Sequence, residues 1–187
     1  MKDEWVIVLD FLPAGRLGHG KPEPIAQAIG EKYFSLLEIV PRDGVELTLG
    51  DRIYVGEGTR DKIKYIKRSI SLVELTVFSR SEIEEVVKDL VREEEERFIE
   101  FFNNAGPIST RMHSLELLPG IGKKHMWELL NARKEKPFES YEDLKKRVSL
   151  LPNPEKMIAK RIMVELKGDD PRHRLFALHK KLEDMRS

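Results

Sequence analysis

Residues 115–130 read Leu115-Glu116-Leu117-Leu118-Pro119-Gly120-Ile121-Gly122-Lys123-Lys124-His125-Met126-Trp127-Glu128-Leu129-Leu130. The leucines at 115, 117 and 118 end a short helix, and Pro119 stops its continuation by restricting the residue before it. Gly120 and Gly122 flank Ile121, so the chain can turn sharply and approach another group closely, with Ile121 pinning the turn from inside. A second helix is expected from Lys123, with Met126, Trp127, Leu129 and Leu130 as its apolar face. The first amides of that helix have no intrahelical acceptor and carry the positive end of its dipole, which suits a phosphate oxygen. Lys123 and Lys124 stand in the same first turn. Cations there oppose the dipole, so helix stability alone disfavours them, and a bound anion would relieve the conflict. The competing account of this stretch is a plain Pro-Gly connection carrying two solvated lysines.

Downstream, Phe138 to Val148 has helical spacing, with Ser140 as N-cap and Asp143 three residues later. Leu151-Pro152-Asn153-Pro154 is a second short connection, in which Asn153 caps the next helix and Pro154 opens it. Met157, Ile158, Arg161, Ile162, Val164 and Leu166 continue that helix. This repeats the layout of helix, turn and helix without the glycines, and Pro154 removes one amide that a phosphate could use. Lys156, Lys160 and Arg161 remain as cations for a neighbouring phosphate. In the tail, Leu175, Phe176 and Leu178 are expected to dock on the helical unit, with Lys180, Lys181 and Arg186 solvated.

Upstream, the period changes near residue 80. Ile83, Val86, Val87, Leu90, Val91, Phe98, Phe101 and Phe102 predict one helix from about Ser81 to Asn103, capped by Ser79 or by Ser81 with Glu84. Its middle, Arg92-Glu93-Glu94-Glu95-Glu96-Arg97, is a solvated acidic face that repels a phosphate backbone. Before it, strands are expected over Glu4–Leu12, Tyr33–Val40, Arg52–Val55 and Lys62–Lys67, with an alternating stretch over Val45–Leu49. In the last strand Ile63, Tyr65 and Lys67 should share one face. Residues 13–24, with Gly15, Gly18, Gly20, Pro22 and Pro24, read as a long loop. Four or five short strands joined by Gly-rich turns indicate a small barrel or curled sheet, of oligonucleotide-binding or SH3-like type. The fold class is thus α+β: a β-rich unit over 1–78, a connector helix over 79–106 and an all-helical unit over 107–187.

The 187 residues suit one domain or two small ones, and 40% hydrophobic content is enough for a folded core. The absence of cysteine excludes disulfides, thiolate nucleophiles and Cys-based zinc sites. No run of 18 apolar residues spans a membrane, and the start of the chain lacks a secretory h-region, so a cytoplasmic protein is expected. The five histidines form no His-Glu-x-x-His pattern, and His113 and His125 flank the hairpin without a third ligand. Lys21 follows Gly20, but Pro22 stands where a phosphate-binding loop needs Ser or Thr, so nucleotide hydrolysis is not expected. The net charge of zero hides an asymmetry: residues 1–104 hold 15 basic against 21 acidic side chains, and residues 105–187 hold 18 against 12. The basic half is the side that meets a polyanion.

Leu118-Pro119-Gly120-Ile121-Gly122-Lys123-Lys124 closely resembles the hairpin of the helix-hairpin-helix family. That resemblance implies that the hairpin amides hold one backbone phosphate, with help from a monovalent cation and without sequence specificity. Carried over, Gly120 and Gly122 are the hairpin glycines, Ile121 the buried anchor, and Lys123 or Lys124 the phosphate-side cation. Taken whole, the chain resembles an uncharacterised archaeal family of predicted nucleic-acid-binding proteins, through Tyr33 to Val55, Arg111-Met112-His113 to Gly122, and Arg161-Ile162-Met163-Val164-Glu165-Leu166. That family joins an N-terminal barrel related to oligonucleotide-binding or S1-type domains to C-terminal paired hairpins, and the S1 relation favours RNA over DNA. Tyr33, Phe34, Tyr54 and Tyr65 are the available aromatics of the β unit and read as core rather than as stacking platforms.

The expected function is therefore non-catalytic, non-specific nucleic-acid binding by a monomer, RNA or DNA, through Gly120, Ile121, Gly122, Lys123, Lys124, Lys156, Lys160 and Arg161, with no metal centre. A nucleic-acid-processing enzyme is the first alternative. Its chemistry would require Asp10, Asp43 and Asp51 to converge on a divalent metal. A ribosome-associated interaction factor, using the acidic helix as its surface, is the second.

Overall fold

The structure, a computed structural model, describes residues 2–16 and 22–178. His19 and Lys21 of the glycine-rich loop, and Lys180, Lys181 and Arg186 of the tail, lie outside the described residues. The chain divides into two units. One contains residues 1–86, 166–169 and the segment from Phe176; the other contains 87–165 and 170–175.

The first unit is built on five antiparallel strands: β1 (Trp5–Leu12), β2 (Ile25–Gly30), β3 (Leu36–Pro41), β4 (Arg52–Tyr54) and β5 (Ile63–Ser69), in the order β4-β1-β2-β3-β5. The expected barrel takes the form of a curled, open half-barrel, with β4 and β5 as its two edges. A bulge between Val8 and Asp10 shifts the β1–β2 register and bends the sheet there. Val6, Val8, Ala26, Ala28, Leu37 and Ile39 form the inner face, closed by Leu47, Ile53, Val55 and Ile63.

Several elements differ from the sequence expectation. Ile25-Ala26-Gln27-Ala28-Ile29-Gly30 contains weak β formers, yet it is a fully buried central strand because β1 and β3 pair with it on both sides. The strand expected from Tyr33 begins at Leu36. Residues before it turn, with Phe34 at φ +55°, and the Asp3 carboxylate accepts the amides of Lys32, Tyr33 and Ser35 at 2.9, 2.7 and 3.2 Å. Val45 to Leu49 is not a strand. In β5, register shifts opposite Glu38–Ile39 and Val40–Pro41 break the alternation. Ile63 is buried and Ile66 packs on the core, while Tyr65 is exposed.

The other face of the sheet carries a buried polar network. Glu38 accepts from Arg16 Nε at 2.7 Å and Arg68 Nε at 2.9 Å, and Gln27 Oε1 accepts the Thr76 amide at 2.8 Å. A cavity there is lined by Arg16, Glu23, Glu38, Lys67, Arg68 and Glu74. Its cations are matched by its acids: Arg16 and Arg68 pair with Glu38, Lys67 with Glu23, and Arg68 also with Glu74.

The single helix expected over 81–103 is two helices, α1 (Val77–Glu93) and α2 (Glu95–Asn104), interrupted at Glu94 with φ −95° and ψ 34°. Neither Ser79 nor Ser81 is the cap. Thr76 Oγ1 accepts the Ser79 amide at 3.0 Å and donates to Asp10 at 2.7 Å. The second unit continues through a 3-10 turn (Ser114–Leu117), α3 (Lys123–Glu135), α4 (Tyr141–Arg147) and α5 (Pro154–Lys167). The tail corrects another expectation: Phe176 and Ala177 are buried with the first unit, and the Leu178 amide donates to the Tyr33 carbonyl at 3.0 Å.

Candidate nucleic-acid interface

The loop between the 3-10 turn and α3 closes by a hydrogen bond from the Ile121 amide to the Leu118 carbonyl at 3.1 Å. Pro119 occupies the second position of that four-residue turn and Gly120 the third, at φ +92°. This is the left-handed position of a type II turn, which only glycine adopts cheaply. Ile121 is buried, as the anchoring role requires. Gly122 is the N-cap of α3, extended at φ −98° and ψ −175°, and offers no side-chain cap. Of the other helix starts in this unit, those of α4 and α5 are closed by their own side chains, while α2, which follows α1 directly, has no side-chain cap. Ser140 accepts the Asp143 amide at 3.1 Å, and Asn153 accepts the Lys156 amide at 2.9 Å. At Gly122 the first helical amides have no such acceptor, and the first turn contains no acidic residue.

The two lysines differ. Lys123 Nζ donates to Glu116 at 2.8 Å and to the Arg111 carbonyl at 3.0 Å. That lysine holds the Glu116 carboxyl below the usual range. The Glu116 partner offsets within the protein part of the conflict between Lys123 and the dipole. Lys124 is 73% exposed and lies 3.9 Å from Glu128, so it is the cation best placed to meet a solvent-borne anion. His113 caps the 3-10 turn, its Nδ1 accepting the Leu115 amide at 3.2 Å, and burial lowers its pKa. That is a structural role. Among the described residues no three His, Asp or Glu side chains are grouped to hold a metal.

The second connection lies against the first. A Cβ added to Gly120 would stand 3.1 Å from Pro152 Cγ. Its turn repeats the first: the Leu151 amide points to the Val148 carbonyl at 3.5 Å, as Ile121 does to Leu118. Leu150 occupies the place of Gly120 at φ +57° and is 83% exposed. One further residue, Pro152, precedes the N-cap Asn153. The loops are thus a side-by-side pair with unequal chemistry, the first uncapped and the second capped from within.

Of the cations expected on α5, Lys156 and Lys160 are exposed. Arg161 is a correction. It is only 4% exposed and pairs with Glu165 at 2.8 Å and Asp170 at 3.3 Å, and it also donates to the His173 carbonyl. Its charge is spent inside the unit, so it is not a surface cation. The spacing contained the signal: Arg161 lies four residues after Met157 and four before Glu165, an ion pair set into the apolar stripe. Trp127 is the reverse case. Sequence periodicity places it on the apolar face of α3, yet it is 57% exposed.

The three carboxylates that a metal-dependent nuclease reading needed are bound to separate partners. Asp10 accepts from Thr76, Asp43 pairs with Lys64 at 2.5 Å, and Asp51 accepts the Thr48 amide at 2.9 Å.

The fold and the loops define a class: a mixed α+β protein with a curled five-stranded antiparallel half-barrel sheet and five helices, with two tight turns side by side before α3 and α5. The chain belongs to the family described as a protein of unknown function, DUF655, whose model matches residues 2–178. It is similar to the uncharacterized protein MJ0038 of Methanocaldococcus jannaschii, 45% identical over 168 residues, which are 89% of this chain and 76% of that protein. It is also similar to the crystal structure of Af1531 from Archaeoglobus fulgidus, at 40% identity and a TM-score of 0.84, covering 94% of this chain and 100% of that one. The resemblance to an uncharacterised archaeal family therefore holds at the level of the family. No helix among the described residues is long and apolar enough to cross a membrane.

Proposed function

We propose that this protein binds nucleic acid without sequence specificity, by a backbone-phosphate contact at a helix-hairpin-helix formed by the 3-10 turn, Leu118–Gly122 and α3. The observation that carries the reading is the start of α3: a glycine N-cap without a side-chain acceptor, behind a type II turn, with two lysines and no acid in the first turn. Exposed amides, the helix dipole and Lys124 act together on one phosphate oxygen. None of these groups reads a base, so the contact is the same for every sequence. The neighbouring loop is the degenerate partner, supplying Lys156 and Lys160 while its own cap Asn153 occupies the position a second phosphate would need. RNA is favoured over DNA on the S1-like relation of the β unit. The protein acts as a binding module rather than an enzyme.

The test is a series of affinities at several salt concentrations, for matched single- and double-stranded RNA and DNA. Wild type should bind with a negative slope of log affinity against log salt, and with little change between sequences of one length and strandedness. Absence of measurable binding to all four at low salt would overturn the reading.

A further inference from the structure

Trp127 is left in solvent where its sequence neighbours argue for burial. Helix α3 buries Met126 and Leu129 and turns the indole outward, 57% exposed. Among the described residues no aromatic ring stacks on it and no cation lies over its face. A large exposed indole offers an apolar face and a polar N–H edge together, the combination that enriches tryptophan at interfaces.

Its position gives the partner's chemistry. Trp127 follows Lys123 by four residues and Lys124 by three, so all three share one face over about 6 Å of helix. Long helical side chains lean toward the N-terminus, so the indole covers the turn that carries Lys123 and Lys124, beside the uncapped amides. Asn131 and Lys134 extend the same stripe, and both are exposed. Of the acids around this face, Glu116 pairs with Lys123 at 2.8 Å, Glu128 lies 3.9 Å from Lys124, and Glu135 follows Lys134 at the far end of the helix. An aromatic plane set among cations and an amide side chain is the composition of a single-strand groove, where bases stack and phosphates are neutralised.

We propose that Trp127 is a stacking platform for an unpaired nucleobase, and that the nucleic acid held at the Gly120–Gly122 loop is single-stranded where it crosses α3. This rests on the phosphate-binding reading above and narrows its substrate class. A base within a duplex presents no free face to the indole. Stacking therefore selects single strands or unpaired ends, independently of sequence.

The experiment compares wild type, Trp127→Ala, Trp127→Phe and Gly120→Ala, each shown to be folded by circular dichroism. The probes are oligouridylate and oligothymidylate of about 12 nucleotides, and blunt RNA and DNA duplexes of about the same length. Trp127→Ala should lose about 5- to 150-fold in affinity for the single strands and stay within about twofold on the duplexes. Trp127→Phe should recover much of that affinity. Titration of wild type with either single strand should quench the tryptophan fluorescence, and in Trp127→Phe, where only Trp5 emits, the quench should vanish. If Gly120→Ala loses binding while Trp127→Ala binds every probe as wild type does, without altered quenching, the stacking role is wrong and the phosphate contact stands. Equal loss on single strands and duplexes overturns the single-strand assignment. If Trp127→Ala instead turns an oligomer into a monomer in sedimentation with oligonucleotide affinity unchanged, the indole is a protein contact and the proposal fails.

Discussion

Replacing Gly120 and Gly122 separately by alanine distinguishes a phosphate clamp from a mere turn, because the two sites differ in what the fold tolerates. Gly120 has φ +92°, and an alanine Cβ there would meet Pro152 Cγ at 3.1 Å. Left-handed backbone costs an L-residue about 1–2 kcal/mol, and the close contact requires Pro152 to give way slightly. For a chain of this size that lowers the melting temperature by about 2–8 °C. Gly122 has an extended backbone, φ −98°, and nothing lies within 4 Å of its missing Cβ. Alanine fits there without strain, at a cost of about 1 kcal/mol or less for the poorer N-cap. Yet that open space is where a phosphate would approach the first amides of α3. A hydrogen bond to a charged group contributes about 1.5–3 kcal/mol, so obstructing one lowers affinity by about 10- to 150-fold. Gly122→Ala should therefore weaken binding strongly while melting almost as wild type. Gly120→Ala should lose both. The assay is fluorescence-anisotropy titration of a labelled oligonucleotide at low salt, beside thermal melts of each protein. A folded Gly122→Ala protein that binds RNA and DNA like wild type would refute the clamp and leave the loop as a connection.

Three further outcomes follow from the same structure. Lys124→Ala should lower affinity equally across sequences and reduce the salt slope by about one, whereas Lys123→Ala, whose cation is held by Glu116, should change the slope less; a salt series decides this. Arg161→Ala should destabilise the protein by about 3–5 kcal/mol, because it removes the countercharge of the buried Glu165 carboxylate, which keeps the Leu175 amide as a donor; Arg161→Met with Glu165→Leu should recover much of that in denaturant titrations. Glu74 is held down to about 2 from 4.5, first by Arg68 and then by Ser71. A depressed carboxylate contributes stability above its unfolded pKa and loses it as the pH falls through the folded one. Melts of wild type should therefore weaken between about pH 4.5 and about pH 2, and Glu74→Gln should flatten that part of the profile.

The sequence alone determined the features that depend on local chemistry. Pro-Gly-Ile-Gly specifies a turn because only glycine takes the left-handed position cheaply, and Gly120 is at positive φ with Ile121 buried. Ser140, Asn153 and Pro154 each stand where capping rules place them, because a cap is made within four residues. Tertiary structure decided what depends on distant partners. Strand β2 exists because two neighbours pair with a weak sequence, and the helix after residue 76 breaks at Glu94, within the acidic run between Val91 and Phe98. Periodicity assigns faces by spacing alone. Spacing sets Arg161 in the apolar stripe one turn before Glu165, but it could not supply the more distant partner Asp170, nor show that Trp127 turns outward. Which side of a helix meets the core is set by the elements packed against it. The burial of Arg161 and the exposure of the indole were therefore decided only once those elements were in place, whereas Lys123, Lys124, Lys156 and Lys160 were legible as surface cations in the sequence itself.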